Sequence, residues 1–147
     1  MQRLALAFFL LAPVPPVLAA PAATAPTGVY VTDPAHTSLT WKISHFGLSS
    51  YTARFTGVEA RLDWNAEKPE ASTMTVSVDP LSVRTDFPYP EVEDFDGKIG
   101  GNADFLAAKP ISFKTRSISM TGEGTATVLG DLTFRGETHQ ASLDVRF

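Results

Sequence analysis

From Ser38 to the end of the chain, apolar and polar residues alternate with period two almost everywhere, the spacing of β-strands with one wet and one dry face. In SLTWKIS, Leu39, Trp41 and Ile43 share one face, opposite Thr40, Lys42 and Ser44. In ARFTGVEARLDW the phase slips: Phe55 is on one parity, while Val58, Ala60, Leu62 and Trp64 are on the other, with Gly57 between them. A glycine at a phase slip suits a β-bulge or a sharp strand bend. STMTVSVD then sets Met74, Val76 and Val78 on one side, and PISFKTRSISM carries Ile111 and Phe113 before a second slip, near Thr115, to Ile118 and Met120. Ala126, Val128, Leu132 and Phe134 align in the next segment, and Ala141, Leu143, Val145 and Phe147 in the last. Turn residues fall between these runs, in NAEKPE, TGEG and RGE. The only long break is RTDFPYPEVEDFDGKIGGNADFLAAK, roughly residues 84–109, in which Asn102 is expected to cap one short helix through Ala107. The pattern predicts an all-β, antiparallel domain of six or seven strands with one short helical insertion, bent at Gly57 and near Thr115 so that the sheet curls towards a barrel.

The N-terminus departs from the pattern. Arg3 precedes an apolar run interrupted by Pro13, Pro15 and Pro16, and Val17 and Ala19 fit a small-residue cleavage rule. Residues 1–19 therefore read as a secretory signal peptide and 20–27, APAATAPT, as a flexible lead-in, leaving 28–147 as the domain. Losing residues 1–19 removes one cation and no acid, so eleven cations face sixteen acids and the net charge is −5. A mildly acidic chain without basic clusters is a poor binder of nucleic acid. With no cysteine, an exported domain has neither disulfides nor thiolate-held metal to stabilise it.

Candidate chemistry adds little. His36, His45 and His139 have no third ligand at recognisable spacing, so no metal or cofactor is expected. The acidic run Glu91, Glu93, Asp94 and Asp96 lacks the calcium-loop pattern and reads as a solvated surface. No nucleophile-elbow, zincin or phosphate-loop motif occurs, and the residues give no positive sign of catalysis. Ten phenylalanines and two tryptophans are the informative content. A small barrel can be filled by such rings or hold one slender ligand, and the residues alone fit both.

Three segments in order carry a resemblance. YVTDPAHTSLTWKISHFGLSSYTARFTGVEARLDW is similar to the opening of the YceI-like family, with Tyr30, Asp33, His36, Thr37, His45, Gly47, Phe55 and Gly57 at its characteristic positions. DFLAAKPISFKT resembles the family's Asp-Phe, short helix and proline before a strand. VLGDLTFRGETH, with Gly130, Leu132, Thr133, Gly136 and Thr138, looks like its Gly-x-Leu-Thr-x-x-Gly-x-Thr element. The family's Arg-Asp-x-His-Leu segment is replaced here by YPEVEDFDGKIGGNADF, and the strands that normally follow Phe147 are missing, so the domain reads as C-terminally truncated. An unclosed barrel exposes a strand edge and invites a homodimer.

The resemblance implies a lipocalin-like antiparallel barrel, here incomplete. It would bind or carry a long isoprenoid lipid, a polyprenyl diphosphate or quinone tail, in the periplasm without converting it. Transient contact with a membrane or a membrane cytochrome goes with that role. The expected lining is the inward-parity set Leu39, Trp41, Ile43, Phe55, Leu62, Trp64, Val76, Phe113, Leu132 and Phe134, with Phe95 and Phe105 from a loop or lid. His45 is expected near a ligand head group or in a structural hydrogen bond. The alternative function is a filled-core barrel acting through its surface as a stress-response or interaction protein.

Overall fold

The computed structural model describes residues 25–147. The signal-peptide reading of 1–19 and residues 20–24 of the lead-in lie outside the described residues. Among the described residues there are nine strands, β1 (Gly28–Val31), β2 (Leu39–His45), β3 (Ser49–Phe55), β4 (Val58–Trp64), β5 (Thr73–Val78), β6 (Val83–Arg84), β7 (Ile111–Gly122), β8 (Thr125–Phe134) and β9 (Glu137–Arg146), and one α-helix, α1 (Phe95–Gly101). Every pairing is antiparallel. Six strands form one sheet in the order β1-β4-β5-β7-β8-β9, and three form a second, β2-β3-β6.

The phase slip at Gly57 is where the chain passes from one sheet to the other. Thr56 donates its N–H to Ser82 O at 3.1 Å, and Asp79 donates to Gly57 O at 2.9 Å. A Cβ at Gly57 would lie 2.9 Å from Ser82 Cβ, so only glycine allows the two strands and the 79–82 turn to meet. The second slip is a bulge: the β7–β8 register jumps between Thr115 and Ser117. Thr115 Oγ1 accepts the Met74 N–H (3.1 Å) and donates to Met74 O (3.0 Å), replacing backbone pairing where the bulge interrupts it. The extra residue places Ile118 on the same face as Phe113.

The barrel is incomplete, as expected: among the described residues the sheets do not close, because β2 pairs only with β3 and β9 only with β8. One expectation is corrected, since the helix lies upstream of its expected position: Asp94, not Asn102, accepts the capping N–H, from Gly97 at 2.9 Å. Asn102 sits at the helix end, where its own side chain takes the Asp104 N–H at 2.8 Å and turns the chain away. The helix is tied to β6 by Asp96, whose Oδ1 accepts both the N–H (2.8 Å) and the hydroxyl (2.6 Å) of Thr85.

Apolar burial falls into two clusters. Ala53, Phe55, Val78, Val83, Ile99 and Leu106 join the three-stranded sheet, the helix and one end of the large sheet. Phe113, Ile118, Ala126 and Val128 form the second cluster, on the face of the large sheet. Val76 packs against both.

Candidate functional site

Beyond the second cluster, the large sheet holds a hollow of about 220 Å³ whose lining residues are all apolar or aromatic. The register explains how the lining is assembled. Residues directly opposite across an antiparallel pair point to the same face. One row is Tyr30, Leu62 and Met74, from β1, β4 and β5. Another is Met120, Ala126 and Val145, from β7, β8 and β9, with Ile118 opposite Val128 beside it. Without the bulge at Arg116, Ile118 and Met120 would turn to solvent and the hollow would lose one wall.

The rim is closed by two aromatic residues with polar tips. Trp64 packs edge-on against Phe147, ring centroids 5.1 Å apart, and donates its indole N–H to Ala25 O at 2.9 Å. Tyr30 donates its hydroxyl to Pro26 O at 2.6 Å, and Thr27 Oγ1 accepts the Ala66 N–H at 2.9 Å. Residues 25–27, expected to be flexible, are thus bonded along the rim, and Ala25 itself lines the hollow. These bonds use the polar atoms of Trp64 and Tyr30 and leave their ring carbons facing inward.

The expected lining residues separate into four groups. Leu62 and Trp64 are on the hollow. Phe113 is buried next to it, with Val76 and Leu132 packed alongside. Trp41, Phe55 and Phe95 belong to the other cluster, Trp41 against Phe55 (6.4 Å) and Phe95 against Tyr51 (6.0 Å) and Phe87 (5.1 Å). There Trp41 Nε1 is buried without a hydrogen-bond acceptor among the described residues. The burial expected for Leu39, Ile43, Phe105, Phe134 and His45 is corrected, since all five are exposed; Leu39 and Ile43 keep the face of Phe55 and Tyr51, which they oppose on β3, but nothing among the described residues covers them. Leu39, Ile43 and His45 are on β2, an edge strand, and Phe134 precedes the Arg135–Gly136 hairpin turn. Phe105 lies in the turn that follows the helix. Sequence reasoning missed Tyr30, Met74, Met120 and Phe147 as lining. Met74 and Met120 shared the parity of apolar neighbours, and that was the signal available for them.

The histidines are dispersed. His36 Nδ1 lies 2.7 Å from Asp33 Oδ2, His139 Nε2 3.5 Å from Glu137, and the His45 ring packs on Phe46. The His36 ring, with the Ala35 N–H, holds the Asp33 carboxyl below the usual carboxylate range. The acidic run is engaged locally: Asp94 caps the helix, Glu93 accepts from Lys98 at 2.6 Å, and Asp96 bonds Thr85. Among the described residues no three potential metal ligands gather in one place.

Two antiparallel sheets, the larger of which carries the apolar hollow, define a lipocalin-like β fold. The model of the YceI-like domain matches residues 30–147, and the chain belongs to that family. It is 33% identical to a UPF0312 protein of Pseudomonas putida over 115 residues, 76% of this chain and 57% of that protein. With a UPF0312 protein of Shewanella putrefaciens the identity is 34% over 125 residues, 83% of this chain and 62% of the relative. The chain thus spans somewhat over half the length of the curated relatives it matches. Among solved structures it is similar in fold to Burkholderia cenocepacia BcnA, with a TM-score of 0.65, 19% identity, and 78% of this chain and 69% of that one covered. It is also similar to the YCEI protein of Campylobacter jejuni, with a TM-score of 0.55, 23% identity, and 78% and 66% covered.

Proposed function

We propose that this protein binds and carries a long isoprenoid lipid, a polyprenyl diphosphate or a quinone tail, in the periplasm and without chemical conversion. The observation that supports this most is the hollow of about 220 Å³, lined without exception by apolar and aromatic residues. A dry cavity of roughly 150 Å³ takes up benzene. The space here therefore accommodates a branched hydrocarbon segment somewhat larger than that ring, with the remainder of the chain lying along the same apolar face. Each buried CH₂ contributes roughly 0.8 kcal/mol, so the roughly two isoprene units that such a space can take would gain about 8 kcal/mol gross before ordering costs are subtracted. The role requires no catalytic group.

The test is a solvent extract of the purified full chain analysed by mass spectrometry, followed by titration with undecaprenyl diphosphate and ubiquinone. Co-purified isoprenoid, or saturable binding of either compound, is the expected result. An empty extract with no binding of either compound would overturn the proposal.

A further inference from the structure

The β2–β3 hairpin ends in a tip whose chemistry the hollow does not explain. Phe46 is 86% exposed and Leu48 90%, with Ile43 exposed behind them. Single exposed apolar residues are ordinary, but three on one protruding hairpin form a patch that calls for a partner. The tip is braced: Leu48 donates its N–H to His45 O at 3.1 Å, Gly47 donates to Ser44 Oγ at 3.2 Å, and the His45 ring packs 4.5 Å from that of Phe46. Its backbone makes the choice of residue conspicuous. Phe46 (φ 53°) and Gly47 (φ 73°) are consecutive left-handed residues, a geometry that Asn-Gly satisfies at low cost and a bulky aromatic does not. A large ring therefore stands where both the turn and the solvent favour a small polar residue.

Charge narrows the partner. The chain has a net charge of −4, yet between Asp33 and Glu59 it contains Lys42 and Arg54 and not one carboxylate. Arg54 is at the base of the hairpin near Asp86, whereas Lys42 is exposed on the strand that leads to the tip. An apolar tip with a cation behind it, on a stretch of chain that carries no carboxylate of its own, suits the surface of a bilayer with anionic headgroups, where rings insert at the acyl boundary and lysine faces the phosphates.

We infer that the β2–β3 hairpin is a membrane-docking finger, with Phe46 and Leu48 entering an anionic phospholipid surface and Lys42 behind them. The inference rests on the lipid-carrier reading for its purpose, since a carrier must meet a membrane to load or unload. Its observations are separate from those of the hollow.

The experiment is flotation of the full chain with vesicles of phosphatidylcholine alone or with phosphatidylglycerol. The parent chain is expected to float with the anionic vesicles and much less with neutral ones. Phe46→Asn with Leu48→Ser is expected to weaken the partition by about tenfold or more, and Lys42→Glu to weaken it less. Phe46→Asn alone is expected to keep or raise the melting temperature, because Asn suits the left-handed turn. This separates a loss of docking from a loss of fold. Failure of the parent to float with anionic vesicles, or flotation undiminished in the double variant, would overturn the docking finger. Isoprenoid retention, measured on the same samples by mass spectrometry, reports on the carrier reading independently.

Discussion

The two ends of the large sheet present the same kind of face to different surroundings. At the end near Val78 and Ile111, the second sheet, the helix and the turn after it cover the face and leave Val83 with no exposed surface. At the end near Trp64 and Met120, the same parity of residues surrounds a hollow whose cover is a short length of chain at Ala25 to Thr27. The difference teaches that alternation specifies a dry face but does not determine what fills the space against it. One half of the sheet is filled and covered, and the other leaves open space against its face.

The comparison is broken most strongly at the covered end. Phe55→Ala empties a buried site (4% exposed) and is expected to cost about 3–5 kcal/mol in urea unfolding. Leu62→Trp, at the open end, is expected to hold stability or raise it by about 0.5–2 kcal/mol as it fills space. The same variant should lose isoprenoid retention, measured by mass spectrometry of the extract. A large loss of stability without loss of retention would refute the division of labour.

A matched pair sharpens the contrast. Trp64→Phe gives up the hydrogen bond to Ala25 O, whereas Trp41→Phe removes a buried donor that has no acceptor among the described residues. Unfolding midpoints are expected to place Trp64→Phe about 1 kcal/mol below Trp41→Phe.

The smallest effect is electrostatic. The Asp33 carboxyl is held low by His36, so its contribution is fully present above the ordinary carboxylate pKa of 3.8 and is lost as pH falls through the folded-state value. Asp33 is exposed, so His36→Ala is expected to lower stability only slightly above the ordinary carboxylate pKa, pH 7 included, and to leave the acid end of the pH–stability curve unchanged.

Much of the scaffold was legible because alternation is a local signal. The phase slips at Gly57 and Thr115 correctly marked the passage between sheets and the bulge. The helix was misplaced because Asn102 and Asp94 are both good caps, and only the bonds from Gly97 and Asp104 decide which end each occupies. Leu39 and Ile43 have the same parity as Trp41, yet they are exposed while Trp41 packs on Phe55. β2 is an edge strand with a projecting tip, a property of assembly that parity does not encode. Tyr30 and Phe147 come to the hollow from opposite ends of the described chain, which no local pattern reports.

The bonds at the rim give the hollow a handle. Ala25 and Pro26 receive the N–H of Trp64 and the hydroxyl of Tyr30, so tension on the polypeptide ahead of Ala25 acts first on the two rings that frame the entrance. In the proposed carrier, anchoring or releasing that segment would shift the ease with which the lipid enters or leaves, with no change in the walls themselves.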